Sequence, residues 1–197
     1  MATNTGPRFK ECRRLGVNVC GHPKAMNRAG TPAFSKRRKV SEYGLQLIEK
    51  QKAKAYYGVF ERQMLRYYRA AAKSGDKTGT ALLRQLECRL DNMVYRLGFA
   101  LSIRMARQEV SHGHILVDGK KVDIPSFPVK VGSVISLREK SRGVEAYRAS
   151  FLEGQGTPVP YVARNPDDFS GTLVRLPERA EIPVEINDQM VVEYYAR

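Results

Sequence analysis

A chain of 197 residues that is 42% hydrophobic and 27% charged can bury one or two modest cores, and this composition excludes a disordered polymer. Its 34 Lys and Arg against 20 Asp and Glu leave a net charge of +14, which calls for a polyanionic partner. No apolar run approaches the roughly 20 residues needed to span a bilayer, and Met1–Pro7 lacks the apolar stretch of a signal peptide, so the expected location is the cytoplasm.

Cys12, Cys20 and Cys88 are an odd set without framework spacing, as free thiols in a reducing compartment would be. The placement of charge says more than its total. Residues 1–90 hold 20 Lys and Arg against 6 Asp and Glu, residues 91–152 hold 10 against 6, and residues 153–197 hold 4 against 8. All of the net charge therefore belongs to the first half, which is expected to lie against the polyanion, while the acidic end faces something else. A membrane surface would require an amphipathic helix with Trp, Phe or Leu on its apolar face. The basic runs carry Tyr and Ala instead, and the chain has no Trp, so the expected partner is nucleic acid and not a membrane.

Residues 1–40 lack a periodic apolar face and read as a basic irregular arm, with Arg13 and Arg14 early and Lys36, Arg37, Arg38 and Lys39 at its end, ordering when its charges meet phosphates. Cys12, Cys20 and His22 are metal-ligand types. A closed structural site needs four ligands, usually with a closely spaced Cys pair, so no metal or other cofactor is expected. Residues 41–90 read as a helical domain. Ser41 is placed to cap a helix with Leu45 and Ile48 on one side and Lys50, Lys52 and Lys54 crowding the next turns. In the following helix Phe60, Met64, Tyr67 and Ala71 form an apolar face, and Arg62, Arg66, Arg69 and Lys73 a basic stripe suited to phosphates. Ser74–Gly79 breaks this helix, and Thr80 is placed to cap the next, with Leu83, Leu86 and Leu90 toward a core.

Residues 91–152 read as a compact module. Val94 and Leu97 continue the apolar face of a helix in which Arg89 and Arg96 stand a heptad apart, and Gly98 ends it. Ser102 caps a short helix with Ala106 and Val110 inward and Arg104 and Arg107 on an exposed side; Gly113 closes it, between His112 and His114. Ile115–Val122, centred on Asp118-Gly119, reads as a two-residue hairpin with Lys120 and Lys121 at its tip, and Val129–Leu137 as a further strand. Residues 153–197 form a C-terminal β-containing segment. The fold class is α+β: a mostly helical N-terminal domain, then two short helices packed on a small, mainly antiparallel sheet. Cations at several heights on such a platform suit a folded RNA junction, with the two histidines as stacking or hydrogen-bonding contacts.

The run Arg89–Phe99, with Ala106-Arg107-Gln108, Ser111–Ile115 and Val122–Ser126, resembles the RNA-binding module of the bacterial ribosomal protein S-four family. Ser41–Leu47, Glu49–Lys52, Tyr57-Gly58-Val59, Glu61-Arg62-Gln63 and Met190–Arg197 extend the resemblance along nearly the whole chain. It implies a structural constituent of the small ribosomal subunit, a primary binder of 16S ribosomal RNA. Such a protein grips a helix junction in the 5′ domain early in assembly. It also implies a place beside ribosomal proteins S-three and S-five along the path of messenger RNA into the subunit, the contact with S-five influencing accuracy. The chain departs from the family's pattern in carrying Gly30–Ser35 where many members have Gly-Gln-His-Gly, in having two N-terminal cysteines where some have four, and at Ile103, Met105 and Glu109.

The same module occurs in enzymes that isomerise uridines in RNA and in some aminoacyl-tRNA synthetases. Each needs a catalytic domain for which residues 153–197 and a basic helical segment leave no room. A small ribosome-rescue module would not need the long arm. No nucleophile or carboxylate is placed to form a triad with His112 or His114, and Asp167-Asp168 reads as a surface turn, so no enzymatic activity is expected.

Overall fold

The structure, a computed structural model, describes residues 6–27, 40–145, 147, 151 and 159–197, which fall into two units. One comprises Met1–Leu82 with Val184–Arg197, the other Leu83–Pro183. Residues 153–197, read from the sequence as one segment, thus contribute to both. Lys36, Arg37, Arg38 and Lys39 lie outside the described residues.

The irregular reading of residues 1–40 is corrected for Arg8–Met26: in the first unit α1 (Arg8–Leu15) and a 3-10 turn (Pro23–Met26) enclose a small cluster of Cys12, Leu15, Val19 and Ala25. α2 (Glu42–Tyr57) starts where expected: the Ser41 hydroxyl accepts the Gly44 amide at 3.2 Å, satisfying one of the helix's orphan donors. α3 (Glu61–Ala72) buries Met64 and Ala71 and half-buries Tyr67, whereas Phe60 occupies the N-cap position and is 40% exposed, so the apolar face is one residue shorter than its spacing suggested. α4 (Thr78–Glu87), whose residues 83–87 belong to the second unit, opens two residues before Thr80, because the Ala81 amide already bonds to the Lys77 carbonyl at 2.9 Å. The final helix, α8 (Asp188–Ala196), is capped by the Asn187 side chain on the Met190 amide. It packs on α2: Gln46 donates to Glu193 at 3.0 Å, and the Asn187 amide to Glu49 at 2.9 Å.

In the second unit the helix expected to run through Arg89 is broken there. Arg89 is extended, with φ −70° and ψ 144°, and bridges to Pro128, so that α5 (Leu90–Arg96) begins a new direction. Ser102 caps α6 (Ile103–Ser111) as expected, its hydroxyl accepting the Met105 amide at 3.3 Å. β1 (Ile115–Val117) and β2 (Lys120–Lys121) are joined by Asp118 and Gly119 with φ of 50° and 75°, the mirror-image turn whose twist matches a hairpin. β3 (Val134–Leu137) is shorter than the expected Val129–Leu137, because Lys130–Ser133 forms a turn with the Ser133 amide on the Lys130 carbonyl. After the short α7 (Glu139–Arg142), β4 (Val162–Asn165) and β5 (Ser170–Leu173) complete a five-stranded antiparallel sheet in the order β2-β1-β3-β5-β4. Ile115, Val117, Ile135, Leu137 and Leu173 point to one face of it and meet Met93, Val94, Leu97, Ala106 and Val110 from α5 and α6, a single apolar core. The α+β architecture is the one the sequence led us to expect.

Candidate nucleic-acid interface

Three of the cations singled out by spacing are interior. Arg96 is 2% exposed and ion-paired through Nε to Glu87, whose Oε1 also accepts the Tyr161 hydroxyl at 2.6 Å. Arg89 is 4% exposed; its Nε and Nη2 donate to the two oxygens of buried Asp91 at 3.0 and 2.7 Å. Lys50, 3% exposed, contacts Glu61 at 3.0 Å and lies 4.2 Å from the Tyr194 ring centroid. The phosphate-contact reading of these three is corrected: a charge taken out of water must be matched at once by a partner, and each here is matched inside its own unit. Sequence spacing gave their side of the helix but not their depth. Lys52 and Lys54 are partly drawn in as well, Lys52 to Glu49 at 2.6 Å and Lys54 to Glu61 at 2.7 Å. Burial alone would raise the Glu61 carboxyl, but hydrogen bonds from Lys54, Tyr195 and Lys50 outweigh it and bring it down to about 2.

Arg107 is intermediate. Its Nε and Nη2 both reach Asp91 Oδ2, at 2.9 and 2.6 Å, and its side chain is 13% exposed, less than the open position expected. Asp91 therefore holds Arg89 and Arg107 at once, a buried carboxylate between two guanidinium groups.

The remaining cations stay outward. Along α3 and its C-cap, Arg62, Arg66, Arg69 and Lys73 are all exposed, a single-sign row about 16 Å long at the helical rise of roughly 1.5 Å per residue. On α1, Arg14 is exposed and Arg13 half-buried. In the second unit Arg104, His112, Lys120 and Lys121 are exposed, and the end of α6 gathers several of them. Gly113, at φ 75°, lies so close under Lys121 that a Cβ would collide with that side chain's Cε. The His112 and His114 rings are 6.1 Å apart. His114 Nδ1 meets the Ser141 hydroxyl at 2.9 Å, and its ring faces Tyr147 at 5.3 Å. Burial, with the charges of His112 and Arg138, holds the His114 imidazole below its usual value and favours the neutral form. Arg138, whose amide donates to the His114 carbonyl at 2.8 Å, was not singled out from the sequence. The signal was the pairing of β1 with β3, which brings the end of one strand beside the start of the other.

Behind this surface lies Glu109, 2% exposed, with no hydrogen-bond partner for either carboxyl oxygen among the described residues. Burial pushes its pKa up to about 8, so it is mainly a neutral acid at physiological pH. Several C-terminal acids are engaged internally: Glu193 accepts from Gln46 and Gln189, and Glu181 pairs with Arg175. Around the N-terminal cysteines, no group of three His, Cys, Asp or Glu side chains comes close enough to hold a metal among the described residues. His22 Nδ1 is occupied by the Lys24 amide at 3.1 Å. Two thiols and one imidazole do not make a closed four-ligand site.

Two short helices on an antiparallel sheet, with cations and histidines along one rim and a second cationic row on a helical unit, define a nucleic-acid-binding protein of the helix-plus-sheet module class. The family model for the S4 domain matches residues 88–135, and that for the ribosomal protein S4/S9 N-terminal domain matches residues 3–87. The chain is 54% identical over 199 residues to small ribosomal subunit protein uS4 of Finegoldia magna. It is 50% identical over 200 residues to uS4B of Clostridium acetobutylicum, and 48% over 201 residues to uS4 of Geobacillus kaustophilus. In each case the whole of both chains is covered. The chain belongs to the uS4 family of small ribosomal subunit proteins, which are structural rather than enzymatic.

Proposed function

We propose that this chain is a structural constituent of the small ribosomal subunit in the cytoplasm, where it binds 16S ribosomal RNA at a junction in the 5′ domain and nucleates assembly there. The observation that carries the reading is the survival of two outward cationic sets after the buried arginines and Lys50 are removed. In the helical unit these are Arg62, Arg66, Arg69 and Lys73; in the module they are Arg104, the partly open Arg107, Lys120 and Lys121, with His112 and His114 beside them. Rigid cations at several places position an RNA by its phosphates, and the histidines add stacking or hydrogen bonds to unpaired bases. Arg13, Arg14 and Lys36–Lys39 of the arm 1–40 extend the grip, Lys52 and Lys54 contribute field from 41–90, and Arg138 joins the module's set. The segment 153–197, net −4, suits contact with ribosomal proteins S-five and S-three and, through S-five, an influence on accuracy near the path of messenger RNA. The engagement of Glu181 and Glu193 within the chain leaves fewer acids for that role than the count implies.

The deciding experiment is binding of the purified chain to a 5′-domain fragment of 16S ribosomal RNA and to transfer RNA across a salt series. Binding that survives moderate salt for the ribosomal fragment alone is expected. Equal, steeply salt-sensitive binding to both would reduce the protein to a generic polycation.

A further inference from the structure

α1 ends at Leu15, and Gly16, at φ 74°, turns the chain so that Val19 packs back against Cys12 and Leu15. This return brings two thiols to one acceptor. The Cys20 S–H donates to Asn18 Oδ1 at 3.5 Å and the Cys12 S–H to the same oxygen at 3.9 Å. Asn18 is held in place by its own Nδ2, which donates to the His22 carbonyl at 3.1 Å. The two thiols differ in access: Cys12 is fully buried, whereas Cys20 is partly open. The third cysteine, Cys88, is buried and belongs to the other unit.

We propose that Cys12 and Cys20 form a modification site, a dithiol that closes to an intramolecular disulfide on meeting a small-molecule disulfide, with Cys20 attacking first and Cys12 resolving. In the first step the Cys20 thiolate attacks one sulfur of the small disulfide; a Cys20 mixed disulfide forms and one small thiolate leaves, taking up the proton that Cys20 released. In the second, the Cys12 thiolate attacks the Cys20 sulfur, the protein disulfide forms, and the second small thiol leaves with the Cys12 proton. The pair is oxidised by two electrons and the reagent is reduced by two. The order follows from access and ionisation: only Cys20 can be approached from outside, and burial, with the neighbouring Cys20, pushes the Cys12 thiol up, so that it reacts once its target sulfur is already beside it. A thiol pair sharing one acceptor is already gathered on one side of a turn, which makes the second step unimolecular. The bond ties α1, with Arg13 and Arg14, to the turn that follows it.

The test uses the full chain, incubated with oxidised glutathione, quenched, alkylated, and read by intact mass and peptide mapping. The wild type should lose two hydrogens, yield a peptide linking Cys12 to Cys20, and keep Cys88 as its one alkylatable thiol. Cys12→Ser should accumulate a glutathione adduct on Cys20, and Cys20→Ser should react at least tenfold more slowly at Cys12. A stable glutathione adduct on Cys20 of the wild type with Cys12 still alkylatable would overturn the proposal, as would a Cys20–Cys20 bond between two chains. None of these readouts depends on RNA.

Discussion

Replacing Glu109 by glutamine keeps the shape of the side chain while removing its ability to ionise, and the effect on stability should depend on pH in a way the burial of this residue dictates. The carboxyl titrates near 8 in the folded chain against 4.5 for the unperturbed group. Because its folded pKa is raised, its stabilising contribution is fully present below about pH 4.5, where both states are protonated, and is lost progressively as pH rises toward 8. Between those values the unfolded chain ionises and the folded one does not, at a cost of about 1.4 kcal/mol per pH unit. At pH 7 the wild type therefore carries a penalty of about 3 kcal/mol that the glutamine variant lacks, while near pH 4.5 the two should coincide. Urea unfolding of both proteins at pH 4.5, 6, 7 and 8, followed by circular dichroism, measures this directly. The gap should open with pH and level off above 8. Parallel pH profiles for the two proteins would refute the reasoning, since they would mean that Glu109 ionises as easily folded as unfolded.

Other substitutions separate cations that reach outward from cations that hold the fold. Arg104→Ala should reduce the salt dependence of RNA binding by about one counterion with an unchanged unfolding midpoint, whereas Arg107→Ala should also lower stability by about 1.5–3 kcal/mol, because Asp91 loses two hydrogen bonds; salt-titrated binding and thermal melts on the same samples distinguish them. Arg96→Ala should cost about 3–5 kcal/mol by removing the cation paired with buried Glu87, and a normal melt with a shallower salt slope would restore Arg96 as an RNA contact. Glu61, its carboxyl brought down to about 2 in the folded chain, adds stability that is present above pH 4.5 and lost as pH falls toward 2. Glu61→Gln should accordingly flatten the acid side of the first unit's unfolding curve.

Local geometry was largely legible in the sequence. Ser41 and Ser102 cap where their hydroxyls precede an apolar period, and Asp118-Gly119 makes the hairpin because those two residue types tolerate positive φ. Depth was not legible. Arg89, Arg96 and Lys50 recur at helical intervals just as Arg62, Arg66 and Arg69 do, and what separates them is a partner distant in sequence or hidden by a backbone break. Tyr161 is 74 residues from Glu87, and Arg89 meets Asp91 from the extended N-cap position where a new helix begins between them. The joining of β5 to β3 was equally out of reach: four-residue strands carry almost no periodicity, and their register is fixed by the core they cover. Glu109 stood out as an unusual residue for its position, and its cost became visible only with its burial.

The docking of α8 on α2 has a consequence for the order in which a growing chain becomes stable. The face of α2 that carries Gln46 and Lys50 is made early, but the helix that covers it follows only after the whole span Leu83–Pro183 has been synthesised. At roughly 5–20 residues per second, that is a wait of about 5–20 s. The nascent helical unit spends this time without the Tyr194 ring that lies against the Lys50 ammonium, and its final packing is a late, long-range event. A premature stop just before Val184 would leave the sheet-bearing unit whole and injure the unit at the opposite end of the gene.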